Sequence, residues 1–281
     1  MRNHIDAITA AARADLENWI ARNSSLCELR DVDFEAGFPY NQQHMQALYL
    51  LRYYPAYFAE NYMMFRWLRE RGKTVANIAS IGCGSLVDGA AAYYAFDANI
   101  AYCGYDIADW AIKGLPLNVR NVLFRQGDIF SVTSWNNDAD IFCFSRSLRD
   151  FGSRIGGLRS AVANTPFHND TIYVCATYNL ATPEIRNQHR QWLYDFASFF
   201  MGYRHVVSEY MNGEAYPNFR YISDVLPWWD HPERQYCTTL VDRCRDNAEL
   251  ECATEACTSR VSRQPMLKFA NLSYEILKLE R

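Results

Sequence analysis

The chain has no uninterrupted apolar run of the roughly 20 residues that a membrane-spanning helix needs. Its most apolar stretch, residues 47 to 68, is cut by Arg52, Glu60 and Arg66. It also lacks a marked excess of either charge: 28 Lys and Arg oppose 32 Asp and Glu, a net charge of −4. A mildly acidic chain does not carry the positive field of a dedicated nucleic-acid coat, and lysine is scarce, with 4 against 24 scattered arginines. The composition therefore predicts no nucleic-acid partner and no membrane. Met1-Arg-Asn-His-Ile-Asp6 holds no apolar signal core, which predicts no secretion. Nine cysteines, an odd number in a chain of this length, fit reduced thiols in the cytoplasm better than a disulfide framework. No internal repeat or low-complexity tract is present.

Apolar residues reach 49% against 21% charged over 281 residues, the balance of a globular chain able to bury a full core as one large domain or two small ones. Ile5, Ile8, Ala12, Leu16, Trp19 and Ile20 recur at helical spacing. After a turn-rich stretch at Gly37-Phe-Pro-Tyr40, residues 41 to 70 read as a long helix kinked or broken at Pro55. Two aromatic rows run along it at i, i+4, i+8: Tyr49, Tyr53, Tyr57, and Tyr54, Phe58, Tyr62. Rows of this kind serve as core packing or as a lid over a bound ligand, and Tyr57 and Tyr62 are the lid candidates.

From residue 75 the period changes. Strand-like runs at Val75–Ile81, Ile100–Tyr105, Val122–Arg125, Ala139–Phe144, Thr171–Tyr178, 204–210 and Leu272–Leu279 alternate with helical ones at Val87–Phe96, from Asp109 to Lys113, Leu148–Ala163 and 184–202. Such alternation predicts an α/β fold: a doubly wound, mostly parallel seven-stranded sheet with helices on both faces. The final strand reads as alternating, with Leu, Tyr, Ile and Leu inward and Ser, Glu and Lys outward. Residues 1–72 form an N-terminal helical cap, 73–210 the core, and 268–281 its last strand. Residues 211–267, with Pro217, Pro227, Pro232, Pro265 and Trp228-Trp229, form an insertion on the substrate side.

The chemistry concentrates at Ile78-Ala-Ser-Ile-Gly-Cys-Gly-Ser-Leu-Val-Asp88. A strand entering Gly82-x-Gly84 and then a helix lets the backbone turn where a side chain would block a ligand, and aims free helix N–H groups at it. Asp106 ends the next strand 22 residues after Gly84, where a carboxylate accepts from both ribose hydroxyls of a nucleoside. Asp128 ends the third strand, placed to accept from an adenine amino group, with Ile107 and Ile129 as apolar walls. Three loops at the carboxyl ends of successive strands thus converge on one crevice.

On these motifs the sequence resembles the class I S-adenosylmethionine-dependent methyltransferase family, over about residues 75 to 210 and the final strand. The resemblance implies S-adenosylmethionine as cofactor and a small-molecule N or O acceptor. It implies that Gly82, Cys83 and Gly84 back the methionine portion, that Asp106 and Ile107 bind the ribose and adenine with Asp128 and Ile129, and that Ser145 and Arg146 lie near the methyl group. The family's third glycine is Leu86 here, and its acidic residue two before the first glycine is Ser80; Asp88 is the compensating candidate at the cofactor's amino-acid end. Phe144-Ser-Arg-Ser-Leu-Arg-Asp150 holds neither Asn/Asp-Pro-Pro-Tyr nor Pro-Cys, which speaks against base-modifying DNA methylation. No residue is marked by spacing as a catalytic base.

His231, beside Trp228, Trp229 and Asp230, is an acceptor-pocket candidate, although a surface-loop histidine is the preferred reading. Cys237, Cys244, Cys252 and Cys257 lack a Cys-x-x-Cys knuckle, so free thiols are preferred to zinc and no metal is expected. Other readings are a nicotinamide oxidoreductase, weakened because Val87 stands where Gly-x-Gly-x-x-Gly has its last glycine, and a cofactor-binding regulatory or scaffold protein.

Overall fold

The computed structural model describes residues 1–23, 39–115, 120–178, 183–211, 225–228 and 273–281. It divides into two units, one of Met1–Ala56, Trp110–Ile112 and Leu226–Ala270, the other of Tyr57–Asp109, Lys113–Val225 and Asn271–Arg281. Most of the 211–267 insertion, with His231 and the cysteines at 237, 244, 252 and 257, lies outside the described residues. Among the described residues no helix is long and apolar enough to cross a membrane.

The first unit is helical. Helix α1 (Arg2–Asn23) buries Ile5, Ala12, Leu16 and Ile20, the stripe its spacing predicts. Helix α2 (Gln43–Glu70) contributes its N-terminal half to this unit and its C-terminal half to the other. Within the helical unit, Trp19 stacks on His44 and the Tyr54 hydroxyl meets His4 Nε2 at 2.8 Å. The Gln46 amide bridges two loops, accepting from Ala111 N and donating to the Tyr40 carbonyl.

Pro55 lies inside α2, and the helix runs through it unbroken, a correction to the break read from sequence. An interior proline costs about 3 kcal/mol. Around it Tyr53, Tyr54, Ala56 and Phe58 are all buried, and each large side chain gains about 1.5–3 kcal/mol there. Packing outweighs the lost hydrogen bond.

The second unit holds a seven-stranded sheet in the order β3-β2-β1-β4-β5-β7-β6. Its strands are β1 (Ala76–Ile81), β2 (Ile100–Asp106), β3 (Val122–Gln126), β4 (Ile141–Ser145), β5 (Thr171–Thr177), β6 (Arg204–Met211) and β7 (Tyr274–Glu280). The pairs β3–β2, β2–β1, β1–β4 and β4–β5 are parallel; β7 runs antiparallel to both β5 and β6. This is the α/β fold read from the alternation, seven strands and mostly parallel. Every residue of central β4 is buried, whereas edge strand β3 buries only Val122, as expected where helices cover both faces of the middle strands. The order reverses between β1 and β4, and this switch point opens a crevice at the carboxyl ends of the strands.

Helix α3 (Val87–Ala95) follows β1 and α6 (Pro183–Ala197) follows β5. The helix expected over Leu148–Ala163 is interrupted: α4 (Leu148–Phe151) and α5 (Arg159–Ala163) flank a 3-10 stretch, Gly152–Leu158. Gly152 takes φ +47°, and a Cβ on Gly157 would meet the Phe130 ring at 2.7 Å. The helix expected from Asp109 to Lys113 is absent; that segment is irregular, and Trp110 there packs edge-on to Tyr49. The outward Ser and Glu of the last strand are also corrected: Ser273 is buried, and Glu275 is fully buried, accepting from the Tyr178 hydroxyl at 2.7 Å and from Arg190 Nε.

One core face centres on Phe142, whose ring lies 5.1–5.8 Å from those of Trp135, Phe167, Phe196 and Phe200. Phe142→Ala should lower unfolding free energy by about 3–5 kcal/mol, read from the urea midpoint. A loss under about 1 kcal/mol would mean that this cluster can close over the cavity.

Candidate functional site

The glycine turn forms where β1 ends. Gly82 and Gly84 take φ +68° and +52°, a left-handed backbone that favours glycine. A Cβ on Gly82 would lie 2.5 Å from that of Ser147. The Gly82 and Cys83 amides both donate to the Tyr105 carbonyl, at 2.9 and 3.1 Å. Asp106 then splints the turn: its Oδ2 accepts from Gly84 N at 2.7 Å and its Oδ1 from Ala108 N at 2.8 Å. Its own carbonyl accepts from Gly127 N at 2.9 Å, so one residue ties together the ends of β1, β2 and β3. Burial raises its pKa, opposed by these backbone donors. Each carboxylate oxygen keeps a lone pair for a further donor.

Ile107 is 74% exposed beside Asp106, a flat apolar surface at the crevice. Exposed Asp128 caps a 3-10 turn by accepting from Phe130 N at 3.0 Å. Ile129 differs from its expected role as a pocket wall: it is buried in the core that includes Tyr105 and Trp135.

Asp88 is a clear departure. It is fully buried and accepts from the Tyr102 hydroxyl at 2.9 Å, with its pKa raised by burial and lowered by hydrogen bonds from Ser80 and Tyr102. It serves the interior beneath α3, not the crevice. The Cys83 thiol is likewise buried, and burial raises its pKa well above the ordinary value; a thiol held neutral is no nucleophile.

Leu86, standing where the resembled family has a third glycine, takes the glycine conformation: φ is +61° and the side chain is fully buried. The left-handed backbone costs about 1–2 kcal/mol, and burial of a leucine returns about 1.5–3 kcal/mol. The turn geometry is thus kept without the glycine. Leu86→Gly should consequently be more stable than Leu86→Ala by about 1 kcal/mol, reversing the usual order, as chemical denaturation would measure. Alanine as the more stable variant would show that the positive φ is not held.

The end of β4 meets the C-terminal half of α2. Ser145 Oγ accepts from Asn61 Nδ2 at 2.8 Å. Arg146, itself at φ +60°, places its guanidinium on the carboxylate of fully buried Glu60, with the Tyr57 ring 5.0 Å away. Burial raises the Glu60 pKa and the Arg146 charge opposes it. Arg146 is therefore already neutralised. Tyr57 belongs to this group; Tyr62, one turn on, stacks on Phe58 at 6.2 Å. Glu60 and Asn61 were not singled out in the sequence, although a carboxylate inside so apolar a helix was a visible signal.

Asp150 was also missed. Although the residue is exposed, its carboxyl pKa is pushed up to about 6, first by partial loss of water and then by the charge of Asp106. A native-state pKa above the unfolded value of about 3.9 favours the protonated form, so stability is lost as pH rises from about 4 to about 6. Asp150→Asn should match wild type near pH 4 and exceed it above pH 6, by melting temperature across that range. A pH-independent difference would place Asp150 in free solvent.

Neither a protein-family model nor a curated protein matches the sequence. Solved structures similar in fold include the [4+2]-cyclase SpnF (14% identity, TM-score 0.41, covering 78% of this chain and 80% of that one). A second is a SAM-dependent methyltransferase from Geobacter sulfurreducens in complex with S-adenosyl-L-homocysteine (16%, TM-score 0.41, 79% and 91%). A third is a phosphoethanolamine N-methyltransferase of Haemonchus contortus (12%, TM-score 0.40, 76% and 51%).

Proposed function

We propose that the chain is an S-adenosylmethionine-dependent methyltransferase acting on a small-molecule acceptor. The observation that carries the reading is the Asp106 carboxylate tied to the Gly84 amide at the switch point of a β3-β2-β1-β4-β5-β7-β6 sheet. In this reading the Gly82-Cys83-Gly84 backbone borders the methionine portion of the cofactor, and Asp106 accepts from the ribose hydroxyls. Ile107 lies against the adenine, with Asp128 at its amino edge. Ser145 and Arg146 stand on the methyl side.

The cofactor supplies a methyl group made electrophilic by its sulfonium. Transfer is an in-line displacement, accelerated mainly by holding donor and acceptor in line. The chain's contribution is positional: glycines that let the backbone approach, a carboxylate fixed by two amides, and Tyr57, Glu60 and Asn61 keeping water from the end of β4.

Calorimetry with S-adenosylhomocysteine and with NAD tests the reading. The thioether should bind and NAD should not. Asp106→Ala should weaken S-adenosylhomocysteine roughly tenfold to a hundredfold, since each ribose hydroxyl donates to a charged acceptor, in a protein whose circular dichroism remains native. Unchanged affinity in that variant, or NAD as the tighter ligand, overturns the assignment.

A further inference from the structure

Two hydrogen-bonding atoms beside Ser145 are buried without any partner: Oδ1 of Asn61 and Oγ1 of Thr177. Both residues are 0% exposed. Asn61 Nδ2 donates to Ser145 Oγ and to the Tyr57 carbonyl, each at 2.8 Å. A backbone carbonyl can only accept, so the bond to Tyr57 decides which end of the amide is nitrogen and leaves Oδ1 as a pure acceptor. Thr177 is the register partner of Ser145 across the β4–β5 pair, so its side chain rises from the same face of the sheet next to Ser145. The two orphaned atoms therefore flank one hydroxyl at the carboxyl end of β4.

Buried polar atoms nearly always find partners, because an unmet one keeps its desolvation cost. Charge narrows what can satisfy these two. Glu60, adjacent in sequence to Asn61, is already neutralised by Arg146, so its carboxylate is not free to hold an ammonium. A protonated amine entering such a place sheds its proton, since burial without a counter-charge favours the neutral base.

Resting on the methyltransferase reading above, we propose that Asn61 and Thr177 seat the methyl acceptor, and that its attacking atom is a neutral primary nitrogen. Its two N–H groups match the two orphaned oxygens, and its lone pair stays unshared. A hydroxyl can meet both, donating to Asn61 Oδ1 and accepting from the Thr177 hydroxyl, but it needs a base to become nucleophilic, and neither Asn61 nor Thr177 can serve as one. In the transfer the nitrogen lone pair forms the N–C bond and the C–S bond breaks with its electrons passing to sulfur. The products are a neutral thioether and a methylammonium, which releases its proton to water. Neither oxygen is open to solvent in the ligand-free chain, so the nitrogen enters by parting the side chains that close over them.

Aniline, phenol and toluene, equal in shape and differing in the NH2, OH or CH3 group, are the probes. Each is titrated by NMR with and without saturating S-adenosylhomocysteine. Aniline should bind at least about tenfold more tightly than toluene, and Asn61→Leu and Thr177→Val should each remove about tenfold of that preference. Toluene binding and S-adenosylhomocysteine affinity should stay within about twofold. Because the deleted threonine hydroxyl has no partner, the melting temperature of Thr177→Val should equal or exceed that of wild type. Methyl transfer from S-adenosylmethionine to phenol rather than aniline, no preference over toluene, or a lowered melting temperature in Thr177→Val overturns the seat. Failure of wild type to bind S-adenosylhomocysteine is read separately and overturns the methyltransferase reading instead.

Discussion

The carboxylate of Asp106 is the point on which the crevice depends. It holds Gly84 N with one oxygen and Ala108 N with the other, while its carbonyl takes Gly127 N. This residue joins the ends of three neighbouring strands. A hydrogen bond to a charged acceptor contributes about 1.5–3 kcal/mol, enough to hold a glycine turn that has little conformational preference of its own. The same carboxylate that orders the turn retains a lone pair on each oxygen.

On the other side of β1 the device is different. Glu60 and Arg146 are an ion pair removed from water, and such a pair gains little net stability because desolvation consumes much of the attraction. Its effect is geometric. It pins α2 to the residue that leaves β4, and the Asn61–Ser145 bond one residue along fixes the rotation of the helix. The left-handed backbone of Arg146 is tolerated where these contacts over-determine it. Arginine and glutamate spend their charges on each other, leaving the end of β4 polar but close to neutral.

The legible parts of the sequence were those in which one residue type answers one local need. Alternating apolar runs announced a covered parallel sheet, and Gly82, Gly84 and Asp106 stood at the ends of their strands as read. The misreadings share a cause. Pro55 breaks helices by local rule, yet a buried aromatic cylinder held it in one. Asp88 was read at the cofactor's amino-acid end and Glu275 as outward, yet Tyr102 in one case and Tyr178 with Arg190 in the other supplied buried partners from distant positions. Ile129, beside a candidate site residue, turned into the core.

By itself the sequence determined the alternation of strands and helices, the crossover units and the glycine turn after β1, because each rests on periodicity or on backbone freedom, which are properties of neighbouring residues. Only the tertiary structure decided which charges are spent and which polar atoms are left over. Glu60 meets Arg146 across 86 positions and Asn61 meets Ser145 across 84, and whether Thr177 has a partner depends on all that packs around it. Pairing and desolvation depend on distance in space, and spacing along the chain does not carry that information.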